Sequence, residues 1–253
     1  MIRSLQRSAL PLATVAALVA LWALAARYQS TGLLPAPWAV VRGLVELLEK
    51  GLLFKYVVAS LFRVTWGYVL AVVTAIPFGL VLGWSRRGEM AVNPLIQVLR
   101  PISALAWIPI SILWFGVGDV AAIFLIFLAS FLPLTVAAMN AVRNVPPTLL
   151  RAGSNFGLSG WKLIRSVILP AATPQLIVSL RITLGIAWLV VVAAEMIAVN
   201  SGLGFLIVDA RNAGNRYDLV VAGMVMIGLI GLVLDLAMRR LEGLKALRWG
   251  YGE

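Results

Sequence analysis

Long apolar segments alternate with shorter polar segments along the chain. A helix of about 20 apolar residues is long enough to cross the roughly 30 Å hydrocarbon core of a bilayer. Segments of about this length or longer occupy residues 9–26, 57–84, 91–115, 120–139, 175–200 and 219–238. The pattern predicts an all-α membrane protein in which six spanning helices form one bundle.

Residues 27–55 separate the first predicted span from the rest of the bundle. Within this segment, residues 38–50 have the apolar spacing of an amphipathic helix. We expect this helix at the outer surface, either beside a docked partner or lying on lipid. The chain is therefore divided into residues 1–56, which hold the first span and the outer helix, and residues 57–253, which hold the other five predicted spans.

The first apolar segment also has features of a secretory signal peptide. Arg3 and Arg7 precede the apolar run, and the small-residue pattern at 23–25 resembles a cleavage site. The run is long for a signal peptide and a membrane bundle follows it, so the pattern favours a spanning helix. Cleavage would remove one helix and leave the remaining topology unchanged.

The third predicted span, residues 91–115, is interrupted by three prolines. Each proline removes a backbone hydrogen bond, which membranes tolerate where protein or a water-filled cavity faces the break. Ser103, Trp107 and Ser111 recur at helical spacing between the prolines. We interpret them as candidates that line a pathway, with ordinary helix packing as the alternative.

A polar segment, residues 144–174, separates the fourth and fifth spans. Pro147 suits the first turn of a helix, and Gly157 suits its left-handed C-terminal stop. Leu149, Ala152 and Phe156 recur at helical spacing between them. The pattern predicts a short amphipathic helix shaped to be held by another protein.

A second short helix is predicted to follow directly. Ser159 is a suitable N-cap, and Pro170 is expected to end the helix. Trp161 is predicted to share one apolar face with Ile164 and Val167. The two helices then meet at a corner formed by Gly157, Leu158 and Ser159.

Composition excludes most soluble and catalytic classes. The chain is 62% hydrophobic and only 12% charged, against about 25% charged in soluble domains. It contains neither cysteine nor histidine, so the commonest metal ligands and general bases are missing. We expect no metal site, no catalytic residues and no enzyme activity.

The chain has a net charge of +11. Its arginines lie mostly at the ends of the apolar runs, rather than on one face with interleaved aromatic residues. Membrane orientation explains it better than nucleic-acid binding, which we do not expect. One end of the six-span bundle would carry Arg3, Arg7, Arg86, Arg87, Arg143, Arg151, Lys162, Arg165, Arg239, Arg240, Lys245 and Arg248; the other would carry Arg27, Arg42, Lys50, Lys55, Arg211 and Arg216. The richer end, with both termini and the polar segment, is predicted to be cytoplasmic.

Two ionisable residues in the fifth span, Arg181 and Glu195, are further candidates that line a pathway. Glu195 lies well inside the apolar run, where an unpaired charge is costly and often functional. The alternative is that it lies near the outer surface and hydrogen-bonds the following turn. Arg181 lies at the start of the same span, where positive side chains are more often membrane anchors.

The polar segment resembles the cytoplasmic coupling loop of ABC importer permeases. The run Arg151-Ala152-Gly153, the following Gly157 and the later Leu169-Pro170 match that family's Glu-Ala-Ala, Gly and Leu-Pro pattern. Arg151 and Gly153 depart from it. Stretches at 99–109, at 114–116 and at 193–196 are similar to the nitrate, sulfonate and taurine branch.

The resemblance implies a permease subunit of the type I importer kind in the bacterial inner membrane. It implies coupling through the loop at 141–174, with Leu149, Arg151, Ala152, Gly153, Phe156, Gly157, Leu158, Ser159, Trp161 and Pro170 as candidates. Trp161 would anchor the loop to the bundle. The implied partners are two ABC ATPase subunits, a second permease copy, and a periplasmic or lipid-anchored solute-binding protein. The implied solute is a small anion of the sulfonate, taurine or nitrate type, which Arg100 or Arg181 could attract.

No Gly-x-x-x-x-Gly-Lys-Ser/Thr motif is present in the sequence. We therefore expect no bound cofactor in this chain, with ATP bound by the partner subunit. An unenergised channel or secondary transporter remains the alternative function. A permease that pairs with a sister chain, rather than with its own copy, also remains open.

Overall fold

The computed structural model describes residues 2–29, 33–212 and 214–242, and all regular secondary structure in those residues is helical. The helices are α1 (Ile2–Tyr28), α2 (Pro37–Glu49), α3 (Leu52–Trp84), α4 (Arg86–Leu99), α5 (Ile108–Phe115), α6 (Asp119–Arg143), α7 (Pro147–Asn155), α8 (Gly160–Leu163), α9 (Leu169–Glu195), α10 (Leu203–Asn212) and α11 (Tyr217–Glu242). A 3₁₀-helix, Ala104–Trp107, precedes α5, and a π-helical turn, Ile164–Ile168, joins α8 to α9. The predicted basic residues Lys245 and Arg248 and the C-terminus lie outside the described residues.

The helical membrane architecture is confirmed, whereas the count of six spans stays a prediction. Four continuous helices are long and apolar enough to cross a bilayer, namely α3, α6, α11 and the stretch Gly160–Glu195. Helices α4 and α5 form a fifth candidate if they are counted as one bent span. In α1 the apolar part, Leu12–Tyr28, is shorter.

Helices α3 and α6 form the centre of the bundle and run in the same direction. A Cβ added at Gly67 would meet Ile126, and one added at Gly79 would lie 2.6 Å from the Cβ of Ala138. Both pairs are separated by 59 positions, so the two helices are parallel and in constant register. The segment between them must therefore return the chain to the end of the bundle where α3 began.

That returning segment is broken, as the prolines in the predicted span over 91–115 indicated. Helices α4 and α5, with the 3₁₀-helix before α5, are bent by 83° at residues 100–103. Pro101 lies in the break, and Ser103 accepts a hydrogen bond from the N–H of Leu105 at the start of the 3₁₀-helix. Ser103 lies in this break, outside the helical turns that hold Ser111, so the two residues do not share one helix face.

Helix α2 packs on the bundle rather than only on lipid. Val40 and Leu47 are buried, and Arg216 bonds the Glu46 carboxylate at 2.6 Å beside the end of α10. The Arg216 hydrogen bond, followed by that of Lys50, lowers the pKa of Glu46 to about 2. This pair is therefore fully formed above the ordinary carboxyl pKa and is lost as the pH falls through about 2.

The segment after α9 was predicted as an outer loop, but most of it forms α10. Leu203, Leu206 and Ala210 recur at helical spacing, and all three are buried against α9 and α11. Gly202 adopts φ +107° directly before this helix and turns the chain into it. The apolar face that follows makes the helix.

Candidate functional site

The polar segment lies at one end of the bundle, where several helix ends meet. Arg143, at the end of α6, forms an ion pair with Glu89 in the first turn of α4. Asn144 donates a hydrogen bond to Gln175 of α9 at 3.3 Å. The starts of α4 and α9 and the end of α6 are therefore held together beneath α7 and α8.

Helix α7 has the predicted start and stop. Pro147 occupies its first turn, and Gly157 adopts φ +74° directly after its end. The Gly157 N–H bonds the carbonyl of Ser154 at 2.9 Å, and the Leu158 N–H bonds that of Gly153 at 3.0 Å. This pair of bonds is the Schellman arrangement, which satisfies the last carbonyls and turns the chain sharply.

The inward face of this loop is apolar and packs on the bundle. Leu150 and Ile164 contact a buried cluster of Val142, Val145 and Ile168. Gly153 faces α8, where an added Cβ would lie 2.6 Å from Leu163 Cδ1. The glycine at this position, where the family pattern has alanine, thus permits close packing between the two short helices.

We expect Gly153→Val to loosen α7 from α8, at a cost of roughly 1–3 kcal/mol of local packing. Arg151, Lys162 and Arg165 are tryptic sites in this loop, so the rate of limited tryptic cleavage of the purified chain should rise. The matched control is Ala152→Val, which introduces the same side chain at an exposed neighbour. Equal cleavage rates for both variants would contradict this packing role.

The outward face of the loop is also apolar. Leu149, Ala152 and Phe156 are exposed, as their spacing predicted, and the Phe156 side chain is 84% exposed. Trp161 is 73% exposed and lies off the packed face of Ile164 and its neighbours, so its predicted role as an anchor to the bundle was wrong. In this conformation Trp161 instead adds to the exposed aromatic surface.

The predicted helix end before Pro170 was also wrong. The helix continues from Gly160 to Glu195, with Pro170 and Pro174 inside it. The π-helical turn at Ile164–Ile168 directly precedes Pro170. Such local adjustment of the hydrogen bonding lets a helix pass a proline. The loop is consequently joined to the fifth predicted span by continuous helix.

The opposite end of the bundle contains a buried charge cluster. Arg63 of α3 is 2% exposed and bonds Glu195, which is fully buried, at 2.7 Å. It also bonds Asp119 of α6 at 2.7 Å and the Ser201 carbonyl at 2.7 Å. One arginine therefore ties together the start of α3, the start of α6 and the chain that follows α9.

Glu195 is fully satisfied within this cluster. Its carboxylate accepts from Ser60 at 2.8 Å and from the Gly204 N–H at 2.9 Å, in addition to Arg63. The bond to Gly204 is the contact with the following turn that the sequence left as an alternative for Glu195. Sequence reasoning missed Arg63 as the partner, although its position nearly two turns inside the apolar run at 57–84 was a signal.

The broken third span borders a cavity of about 470 Å³ against α6 and α9. Arg100, Ser103 and Trp107 line it together with Phe127 and Phe131. Ser111 is not among its lining residues; it is fully buried and donates to the Ile108 carbonyl. Two of the three predicted pathway residues in this span are thus brought to one cavity.

Arg181 lies in another charge cluster, near the polar-loop end of the bundle. Its guanidinium bonds Asp235 at 2.6 Å and Glu242 at 3.2 Å, both on α11. Arg239 also bonds Asp235, at 2.9 Å. Two carboxylates therefore already compensate the charge of Arg181. In this conformation its ion pairs join α9 to α11.

The chain is similar to a family of transport proteins and to individual members of it. The family described as "Binding-protein-dependent transport system inner membrane component" matches residues 75–244. A putative ABC transporter permease protein of Methanocaldococcus jannaschii is 40% identical over 88% of this chain and 86% of its own length. The taurine transport system permease protein of Escherichia coli is 35% identical over 92% of this chain and 87% of its own length.

The fold also has a solved counterpart. An inward-facing structure of the MetNI methionine ABC transporter superposes with a TM-score of 0.64, at 20% identity, over 81% of this chain and 95% of that one. At this identity the likeness establishes the fold. Together with the match over residues 75–244 and the long relatives, it leads to one assignment. The chain belongs to the family of binding-protein-dependent transport system inner membrane components.

Proposed function

We propose that the chain forms the membrane pathway of an ATP-driven importer for a small anionic solute of the sulfonate, taurine or nitrate type. The observation that carries the proposal is the loop at 144–174. It is packed on the bundle through Leu150 and Ile168 and exposes Leu149, Phe156 and Trp161 on its other side. Exposed aromatic and aliphatic anchors of this kind are typical of a protein interface.

The proposed partner at this face is an ABC ATPase subunit. The chain has no nucleotide-binding Walker motif, so the energy must come from another subunit. Two permease copies would place two such loops beside two ATPases, and a solute-binding protein would deliver the solute from the opposite side. The excess of Arg and Lys at the loop end supports a cytoplasmic location for the loop and for both termini.

The helical continuity from Gly160 to Glu195 suggests how the loop acts on the pathway. Closure of the ATPases would displace α7 and α8, and the attached helix would move with them. That helix ends at the buried cluster of Arg63 and Glu195, at the other end of the bundle. Different contacts in the two positions would then alternate access between inward- and outward-open states.

The cavity at the broken span is the proposed part of the pathway in this chain. Its walls are mostly aliphatic and aromatic, which suits the carbon part of an organic sulfonate. Arg100, Ser103 and Trp107 supply its polar groups. Among the described residues no carboxylate lies within ion-pair distance of Arg100, so its charge is available to an anion.

A crosslinking experiment tests the coupling assignment. The chain contains no cysteine, so Ser159→Cys introduces a single thiol at the exposed corner between α7 and α8. In membranes that contain the whole transporter, we expect this thiol to crosslink to an ATP-binding subunit, with a yield that ATP changes. Mass spectrometry identifies the partner.

A matched control is Asn215→Cys, at the opposite end of the bundle, which should give no adduct with that subunit. Failure of Ser159→Cys to crosslink, in a folded transporter with its ATPases present, would contradict the proposed function. Solute transport that persists without the ATPase would instead favour an unenergised channel or secondary transporter.

A further inference from the structure

The outward surface of the loop is strongly basic. Residues 141–174 contain Arg143, Arg151, Lys162 and Arg165, and no Asp or Glu. Arg143 is paired with Glu89. In the part of the chain that the structure describes, no carboxylate lies within ion-pair distance of the other three.

The three cations accompany the exposed aromatic residues. Arg151 lies on α7 between exposed Leu149 and Ala152, and Lys162 directly follows Trp161. Arg151, Lys162 and Arg165 are all exposed. The surface therefore combines an apolar patch with a charge of about +3 that this chain leaves uncompensated near it.

We propose that this surface docks into an acidic cleft on its ATPase partner, with a carboxylate of the cleft facing Arg151. The inference rests on the proposed function and adds the chemistry of the partner to it. Burial of an uncompensated guanidinium at an interface is costly, and a carboxylate with bidentate geometry offsets that cost. The family pattern places a glutamate at this position, so the charges of this interface are reversed.

A membrane with anionic lipids is the other occupant that basic and aromatic residues fit. The packing favours a protein. Leu150, Val145 and Ile168 hold the inward face of the loop against α3, α6 and α9 at their ends. The outward face then points away from the bundle end and not along its lipid-facing sides.

The test measures the affinity of the purified chain, in nanodiscs of zwitterionic lipid, for its purified ATPase subunit. We expect Arg151→Gln to weaken binding by about tenfold, which corresponds to about 1.4 kcal/mol, and Arg151→Glu to weaken it further. Raising the salt from about 0.1 M to about 1 M should weaken binding of the unaltered chain, and weaken Arg151→Gln less. Arg87→Glu is the matched control, since it makes the same charge change at an exposed cation in the first turn of α4. It should bind as the unaltered chain does.

Reversal of the facing carboxylate in the ATPase, from Asp or Glu to Arg, should restore binding to Arg151→Glu. If Arg151→Glu binds with unchanged affinity while Ser159→Cys still crosslinks to the ATPase, the charge inference fails and the proposed function stands. If Arg151→Glu weakens binding only in nanodiscs with anionic lipid, the surface binds the membrane and the inference is overturned. If Ser159→Cys gives no crosslink, the proposed function itself fails.

Discussion

Replacement of Glu195 by alanine is expected to destabilise the folded chain by about 3–5 kcal/mol. The substitution leaves the Arg63 guanidinium, which is 2% exposed, without its fully buried counter-ion. It also removes the acceptor for the Ser60 hydroxyl and for the Gly204 N–H. Each buried donor left without a partner adds to the loss.

Asp119→Asn is the matched control, because Asp119 bonds the same arginine at the same distance of 2.7 Å. The Asp119 side chain is 55% exposed, so water can replace much of the interaction that its carboxylate makes with Arg63. We expect a loss of only about 0–1 kcal/mol. Equilibrium unfolding of the purified chain from mixed micelles measures both, and equal losses would refute the dominant role of burial.

A double-mutant cycle separates the ion pair from the hydrogen bonds. Glu195→Gln keeps an oxygen acceptor for Ser60 and Gly204, and Arg63→Met removes the charge while it retains much of the volume. We expect the double variant to lose clearly less than the sum of the two single losses, because neither charge is left unpaired. An additive result would mean that Arg63 and Glu195 act independently.

The elements that local sequence determines were predictable. Apolar length alone gives α3, α6 and α11, because a helix must satisfy its own backbone groups in lipid. Pro147 and Gly157 gave the ends of α7 through local backbone preferences, and the structure reproduces the first turn and the left-handed stop. These features depend on few neighbours, so the sequence is sufficient.

The elements that depend on distant contacts were not predictable. The partner of Glu195 lies 132 positions away in the chain, and although Arg63 lies inside an apolar run, nothing local pairs it with Glu195. Helical periodicity placed Trp161 on one face with Ile164, yet Trp161 is 73% exposed while Ile164 packs on the bundle. The helix continues through Pro170 because a π-helical turn precedes the proline, and single-sequence patterns do not reveal such a turn. Tertiary packing decides each case.

The glycines of α3 show both what the sequence can predict and what it cannot. The Gly-x-x-x-Gly spacing of Gly79 and Gly83 permits the close approach of another helix but does not say which one. In the structure it is α6 of the same chain. A Cβ at Gly79 would overlap the Thr135 carbonyl oxygen and lie 2.6 Å from the Ala138 Cβ. A Cβ at Gly83 would lie 2.7 Å from the Met139 carbonyl oxygen.

We therefore expect Gly79→Ala to destabilise the chain by about 1–3 kcal/mol, because backbone atoms of α6 cannot move aside as a side chain can. In an open helical site the same substitution is stabilising by up to about 1 kcal/mol through helix propensity. Gly228→Ala on α11 is such a site, with nothing within 4 Å of the added Cβ. The two variants should thus change the free energy of unfolding in opposite directions.

A second substitution on α6 identifies the contact. Ala138→Gly removes the methyl group that meets the new Cβ, but it leaves the Thr135 carbonyl in place. Combined with Gly79→Ala, it should therefore recover part of the lost stability and not all of it, despite the cost of a glycine within a helix. If Gly79 instead faced a second copy of the chain, Gly79→Ala would shift the oligomeric state in size-exclusion chromatography with light scattering. Ala138→Gly would then give no recovery, and the parallel packing of α3 on α6 would not be the contact that requires glycine.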